Sequence, residues 1–442
     1  MSEAIPAPDS TGVSTSDLMK RYVMGNYGRF PIAFSRGEGS WIWDETGKKY
    51  LDFATGIAVC SLGHCHPAMQ DALREQAAKL IHCSNLYQIR EQAELAEFIV
   101  ERVMRSSGSV FFCNSGAEAN DALIKLARKF GHDSASTNGG VIRSEVITCN
   151  RSFHGRTLGG IAATGQDKVK QGFAPLLEGF THVPFNDSQA LREAVGPKTA
   201  AILFEIVQGE GGINVATPEF LRTAAELQRE HGILLMFDEV QCGFGRTGDW
   251  NGWETALRGV DFSIEPDAVS WAKGMGGGYP IGAIWASDRQ VAGTDFRLCD
   301  VLGPGTHGST FGGTPLASAV SLAVLKTIES DGLVANAERL GHQIREAVKA
   351  WNHPLVREVR GLGLLIGFVI DEGALAATEH FASSGQTPSL YVVSRLMEAG
   401  MLTVPAGPDV VRWLPPLNVS EDEVAHGLEV MRATLDALVN PD

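Results

Sequence analysis

The stretch "SWAKGMGGGYPIG", Ser270 to Gly282, places one lysine, Lys273, after an apolar run and ahead of a cluster of glycines. A lysine amine near apolar surroundings loses part of its preference for the charged form and becomes available as a nucleophile. The glycines are expected to let a bulky ring approach the backbone. A second candidate, Asp238 of "FDEV", ends the apolar run Ile233 to Phe237, with Glu239 next to it. The third is the turn "NSGAE", where Ser115, Gly116 and Ala117 lie between a strand-like run and a helical pattern. Free N–H groups and the helix dipole at such a turn suit an anion. Each has a plainer alternative: a solvated lysine beside a loop, an acid capping a turn, and a serine N-cap. Taken together, an imine-forming amine, a phosphate cup and an acid facing a pyridine nitrogen point to pyridoxal phosphate (PLP). A nucleotide-binding module is the rival, but no GxGxxG follows a strand-like run and no GxxxxGK[ST] occurs.

The elements that must position these groups are readable in outline. Between residues 108 and 285 short apolar runs alternate with helical patterns, the signature of a mostly parallel sheet with crossover helices. "VFFC", Val110 to Cys113, reads as a strand. Ala119, Ala122, Leu123, Leu126, Ala127 and Phe130 then repeat at helical spacing. Thr217, Pro218 and Gly232 frame a later helix, and Ser420 with Glu423 forms a capping box that opens the last one. "GHDSASTNGG", Gly131 to Gly140, reads as a surface loop, and the first twenty residues as a flexible lead-in without a secretory signal.

The whole is 442 residues, 44% hydrophobic and 20% charged, with a net charge of -15. That length predicts more than one domain, and no apolar run approaches a membrane span. The negative balance argues against nucleic acid and acidic membranes as partners. Seven scattered cysteines without a CxxC suit reduced thiols and a cytoplasmic location. The run His64, Cys65, His66 is too tightly spaced for a metal site and reads as a loop turning at Pro67.

From about Tyr27 to the final helix the chain resembles the class III aminotransferases of PLP fold type I. The motifs that carry the resemblance include "NYGRFP", "LGHCHP", "NSGAEAN", "SFHGRT", "QGEGG", "FDEVQCGFGRTG", "AKGMGGGYPIGA", "HGSTFGG" and "VRWLPPL". The resemblance implies a large domain with a mostly parallel central sheet flanked by helices (81–325), a smaller α/β domain (326–442), and an N-terminal segment (1–80) joining the small domain. It implies that Lys273 carries PLP and acts as general base, and that Asp238 pairs with the pyridine nitrogen. Phe153 and Val240 would cover the two ring faces, Gln241 would touch the phenolic oxygen, and Gly116 and Ala117, with Ser115 adjacent, would hold the phosphate. Thr310 would reach that phosphate from a neighbouring subunit, making the active unit a homodimer.

Arg156 would grip a substrate carboxylate, and Tyr27, with Asn85 and Tyr87, would line the mouth of the site. Arg412 would be masked by Glu210 until glutamate's α-carboxylate displaces it. Taken alone, Arg156 reads equally as a surface ion pair, and Glu210 with Arg412 as an interdomain salt bridge. "LIHCSNL" and "FDEVQCG" lean towards the acetylornithine branch, which implies transfer of the δ-amino group of N-acetylornithine to 2-oxoglutarate. Succinylornithine, ornithine, an acylated lysine intermediate and 4-aminobutyrate are alternative donors, separated by pocket contacts worth about 1 to 3 kcal/mol each. A PLP-binding relative without turnover is the remote alternative. Ile206, Trp271, the stretch 131–140 and residues 249–265 depart from the family pattern and bear on pocket shape.

Overall fold

A computed structural model describes residues 13–439. Its centre is a seven-stranded sheet: β1 (Gly108–Cys113), β2 (Glu145–Cys149), β3 (Phe180–Val183), β4 (Thr199–Glu205), β5 (Leu234–Asp238), β6 (Ala268–Trp271) and β7 (Gly282–Ser287), in spatial order β1-β7-β6-β5-β4-β2-β3. Pairing is parallel except at β7, which runs antiparallel to β6 and β1. Strands β4 and β5 are buried along their whole length, as near-continuous apolar runs in a two-sided parallel sheet must be. In register, Asp238 stands opposite Glu205 on β4 and Ser270 on β6, so three polar residues lie side by side at the ends of adjacent strands, Ser270 one residue before the last of β6.

Helix α1 (Gly116–Asp133) follows β1 and lies on this sheet. Its six expected apolar positions are all buried, each Leu or Phe contributing about 1.5–3 kcal/mol. Helix α2 (Pro218–His231) begins with Thr217 accepting the Phe220 N–H and ends at Gly232 with φ +61. Beyond α3 (Pro315–Ser330), a four-stranded sheet of Val356–Leu362, Leu365–Ile370, Val410–Trp413 and Val404–Pro405 presents Arg412 opposite Gly367. Another four-stranded sheet joins the two ends of the chain: Phe34–Glu38, Trp41–Asp44 and Lys49–Asp52 continue into Met401–Leu402, which pairs in parallel with Leu51 and Asp52. The final helix, Glu421–Val439, opens with the Ser420–Glu423 capping box.

Several local expectations are corrected. The stretch 131–140 is not a plain loop: α1 runs on to Asp133, and a 3-10 turn covers Ala135–Asn138. Position 131 is a glycine within the helix because a Cβ there would lie 1.9 Å from the Arg143 carbonyl. Of the lead-in, residues 1–12 lie outside the described residues, whereas Thr15–Tyr22 is a helix capped by Ser14. Pro67 opens a helix, Pro67–Ala77, capped by His66, and His64 pairs with Asp52 at 2.8 Å. Residues 249–265 include a short helix, Gly252–Ala256, with an Asn251–Glu254 capping box.

Candidate active site

The floor of the site is built where β4, β5 and β6 end. Asp238 is 2% exposed. Its Oδ2 accepts from Asn120 Nδ2 at 2.7 Å and lies 2.8 Å from His154 Nδ1; Oδ1 accepts the Val240 N–H at 3.0 Å. The turn-capping alternative and the buried-acid reading are thus both realised in one side chain. Ser270 Oγ donates to Asn120 Oδ1 at 2.7 Å, which aims the amide N–H2 at Asp238. His154 is fully buried, and its Nε2 has no partner among the described residues. Burial alone would lower its pKa, but the Asp238 carboxylate overrides that and raises it, favouring imidazolium against carboxylate. Glu239 turns away and accepts the Gly252 N–H through both oxygens; burial pushes its carboxyl up to about 8.

Lys273 begins a single 3-10 turn, Lys273–Met275, with φ +44. A left-handed, non-glycine residue costs of order 1–3 kcal/mol and is held there only by its surroundings. Its amine makes no hydrogen bond or ion pair among the described residues. Burial lowers its pKa; Glu210 opposes the shift and Arg412 adds to it. Two of the glycines after it are required by the protein's own packing. A Cβ on Gly276 would lie 2.0 Å from the Tyr279 carbonyl, and one on Gly277, at φ +59, would lie 2.8 Å from Val324 of α3. These two fold a tight turn against the protein, whereas a Cβ on Gly274 or Gly278 would meet its nearest neighbour at 3.5 Å or beyond. Trp271 likewise stays clear of the site: it is fully buried against Phe244, with ring centroids 5.5 Å apart, and leaves no room for a Cβ on Gly243. Ile206 is fully buried, and its carbonyl accepts the Ala216 N–H.

The start of α1 forms the cup. Ser115 Oγ accepts the Glu118 N–H at 3.2 Å, so it is an N-cap, while the N–H groups of Gly116 and Ala117 have no acceptor among the described residues. Val240 closes one side: a Cβ on Gly116 would lie 2.7 Å from its Cγ1. Gly155, at φ +122, packs so near Ala117 that a Cβ would come within 2.9 Å of the alanine methyl.

Arg412 is 1% exposed, yet its Nη1 meets Glu210 Oε1 at 2.7 Å, the Gly209 carbonyl at 2.8 Å and Gln241 Oε1 at 2.9 Å. Glu210 keeps 30% side-chain exposure. Burial would raise its pKa, but Arg412 outweighs burial and holds it below the ordinary carboxylate range. Phe153 is partly buried, with the exposed Arg156 guanidinium 5.5 Å from its ring centroid. Arg156 has no ion pair among the described residues. Tyr27 and Thr310 are exposed and share no hydrogen bond with the cluster; Tyr27 stacks with Arg29. Asn85 holds the loop around Thr310, donating to the carbonyls of Ser309 and Gly312, and Tyr87 is exposed.

Sequence reasoning missed His154, Asn120 and Ser270 as the setting of Asp238. A signal for Asn120 was present: it is a polar residue on the buried stripe of α1, one turn after Gly116. The assembled set fits PLP. A partner-free amine of lowered proton affinity, two free N–H groups at a helix start and a buried carboxylate match the cofactor's aldehyde, phosphate and pyridine nitrogen.

The family model "Aminotransferase class-III" matches residues 22–435. The acetylornithine aminotransferase of Caldanaerobacter subterraneus is 44% identical over 95% of this chain and 98% of its own. That of Synechocystis sp. is 46% identical over 95% and 92%. Among solved structures, the ornithine aminotransferase of Toxoplasma gondii, with PLP at partial occupancy in its active site, superposes with a TM-score of 0.85 at 32% identity, covering 97% of this chain and 96% of that one. The acetylornithine aminotransferase of Elizabethkingia anophelis gives 0.77 at 30%, covering 95% and 97%.

Proposed function

The chain belongs to the class III aminotransferases, and from that membership we propose that it moves the δ-amino group of N-acetylornithine to 2-oxoglutarate, giving N-acetylglutamate 5-semialdehyde and glutamate. It is a PLP-dependent aminotransferase of fold type I. When bound, PLP supplies an aldehyde that accepts the amino group and a ring that draws electrons from the substrate carbon.

The chain's own residues take the following parts in this reading. Lys273 Nζ would hold the cofactor and, once displaced by the substrate amine, take up the proton lost from the substrate's δ-carbon. Gly116 and Ala117 would bind the phosphate, and Asp238, ion-paired with His154, would face the ring nitrogen. Phe153 and Val240 would cover the ring faces, and Gln241 would meet the phenolic oxygen. Arg156 would orient a substrate carboxylate by a two-pronged contact. Thr310, exposed in the single chain, would complete the phosphate site of a second copy, so the working unit is a homodimer. Sedimentation of the holoenzyme at single-chain mass would end that part. The free cysteines support a cytoplasmic setting, and among the described residues no helix is long and apolar enough to cross a membrane. A periplasmic or secreted pool in fractionated cells would end the cytoplasmic assignment.

The observation that carries the two-substrate reading is the Glu210–Arg412 pair. One site must accept an amine at a chain end and then glutamate, whose amine sits beside a carboxylate. A buried arginine neutralised by a partly exposed, displaceable glutamate meets both demands. The test is the visible absorption of the holoenzyme on adding N-acetylornithine without a keto acid. Loss of the band, and its return with 2-oxoglutarate, is the expected result. A band that responds only to ornithine, succinylornithine or 4-aminobutyrate reassigns the donor.

A further inference from the structure

Glu205 has no part in the steps above, yet its carboxylate ties two of their components together. It ends β4 beside Asp238 and is 5% exposed. A carboxylate so buried needs donors. Its two are backbone N–H groups from separate segments: Oε2 accepts from Phe153 at 3.0 Å and Oε1 from Gly209 at 3.2 Å. Phe153 is the ring platform, and Gly209 is the residue from which Glu210 departs.

Gly209 is pinned on its other sides as well. Its carbonyl accepts from Arg412, and a Cβ on it would lie 2.3 Å from Gln241 Oε1. When glutamate's carboxylate takes Arg412, the arginine's hold on this segment is contested. The bond to Glu205 does not involve Arg412 and stays.

We infer that Glu205 is a positioning residue that anchors the root of the Glu210 arm to the Phe153 platform, so that the switch between substrates is a swing of the Glu210 side chain about a stationary Gly209. This rests on the reading of Glu210 and Arg412 as the two-substrate switch. With the root loosened, Glu210 masks Arg412 for less of the time. That favours glutamate over N-acetylornithine.

The test measures both half-reactions of the holoenzyme by stopped-flow absorption, for the wild type, Glu205→Gln, Glu210→Ala and the double variant. Glutamine is isosteric but offers one acceptor where two are needed. The expected result is a fall in the ratio of kcat/KM for N-acetylornithine to that for glutamate of about fivefold or more in Glu205→Gln, the scale of one buried hydrogen bond. The cofactor spectrum should be retained. Glu210→Ala should lower the same ratio, and adding Glu205→Gln to it should change the ratio no further. Equal losses in both half-reactions, with or without Glu210, would make Glu205 merely structural and overturn the inference. An unchanged ratio in Glu210→Ala would instead overturn the switch itself, and the inference with it. Should Glu205→Gln fold poorly, Glu205→Asp, which keeps the carboxyl group but is one methylene too short to span both N–H groups, is read by the same ratio.

Discussion

The floor of the site and its rim are built on opposite principles. At the floor, Asp238, His154, Asn120 and Ser270 are nearly solvent-free and bonded to one another. Tyr27, Arg156 and Thr310, the side chains that the proposed function puts at the rim of this or a partner's site, are exposed and bonded to none of the floor. A low-dielectric floor keeps charges ordered before any ligand arrives. In the proposed function, the open rim side chains are the ones that a substrate or a second subunit would contact. Floor substitutions should therefore damage both folding and chemistry, and rim substitutions only recognition.

The largest effect belongs to Lys273→Ala. Steady-state assays should show kcat reduced by at least ~10³-fold, since both the holding amine and the proton acceptor are gone. His154→Ala should follow. It leaves Asp238 buried without its cationic partner, and urea unfolding should report a loss of about 3–5 kcal/mol. A loss below about 1 kcal/mol would break the contrast by making the floor as tolerant as a surface. Arg156→Gln tests the other side: KM for the carboxylate-bearing substrate should rise roughly tenfold, while unfolding shifts by no more than about 0.5 kcal/mol.

The pH dependence sharpens the same comparison. Burial lifts Glu239 to about 8 and Glu205 to about 7, from an ordinary glutamate value of about 4.3. For Glu205, Asp238 adds to the lift and His154 opposes it. The folded protein thus holds these protons more tightly than the unfolded chain does. Stability should fall as pH rises from the ordinary value and level off above the folded one. Thermal melts of Glu239→Gln, which stays neutral, should accordingly gain on the wild type between pH 5 and pH 8; parallel curves would contradict the assignment. The smallest effect is Ser115→Ala, about 1 kcal/mol in unfolding from the lost N-cap.

How much of this was legible in the sequence depended on range. Lys273, Asp238 and the Ser115 turn announce themselves locally, because a polar residue ending an apolar run is visible within ten residues. The helix at 116–133 was legible from its stripe, although its last turn hid behind Gly131, a glycine required by packing rather than by a bend. The setting of Asp238 was not legible: Asn120, His154 and Ser270 lie 118, 84 and 32 positions from it and meet it only through tertiary packing, Ser270 by sheet register, Asn120 from α1 and His154 from the loop after β2. The need for glycine at 276 and 277 was hidden for a related reason. Composition shows that a backbone is bare but not which neighbour needs it bare, and here the neighbours are Tyr279 and Val324.

The sheet that joins the chain's two ends bears on biosynthesis. Leu51 and Asp52 find their parallel neighbours only at Met401 and Leu402, about 350 residues later. At a ribosomal pace of about 5–20 residues per second, the strands Phe34–Asp52 wait tens of seconds for that edge to be covered. During that interval the nascent chain displays an open β-edge, a surface on which a holding chaperone would act and from which a mispaired dimer could start.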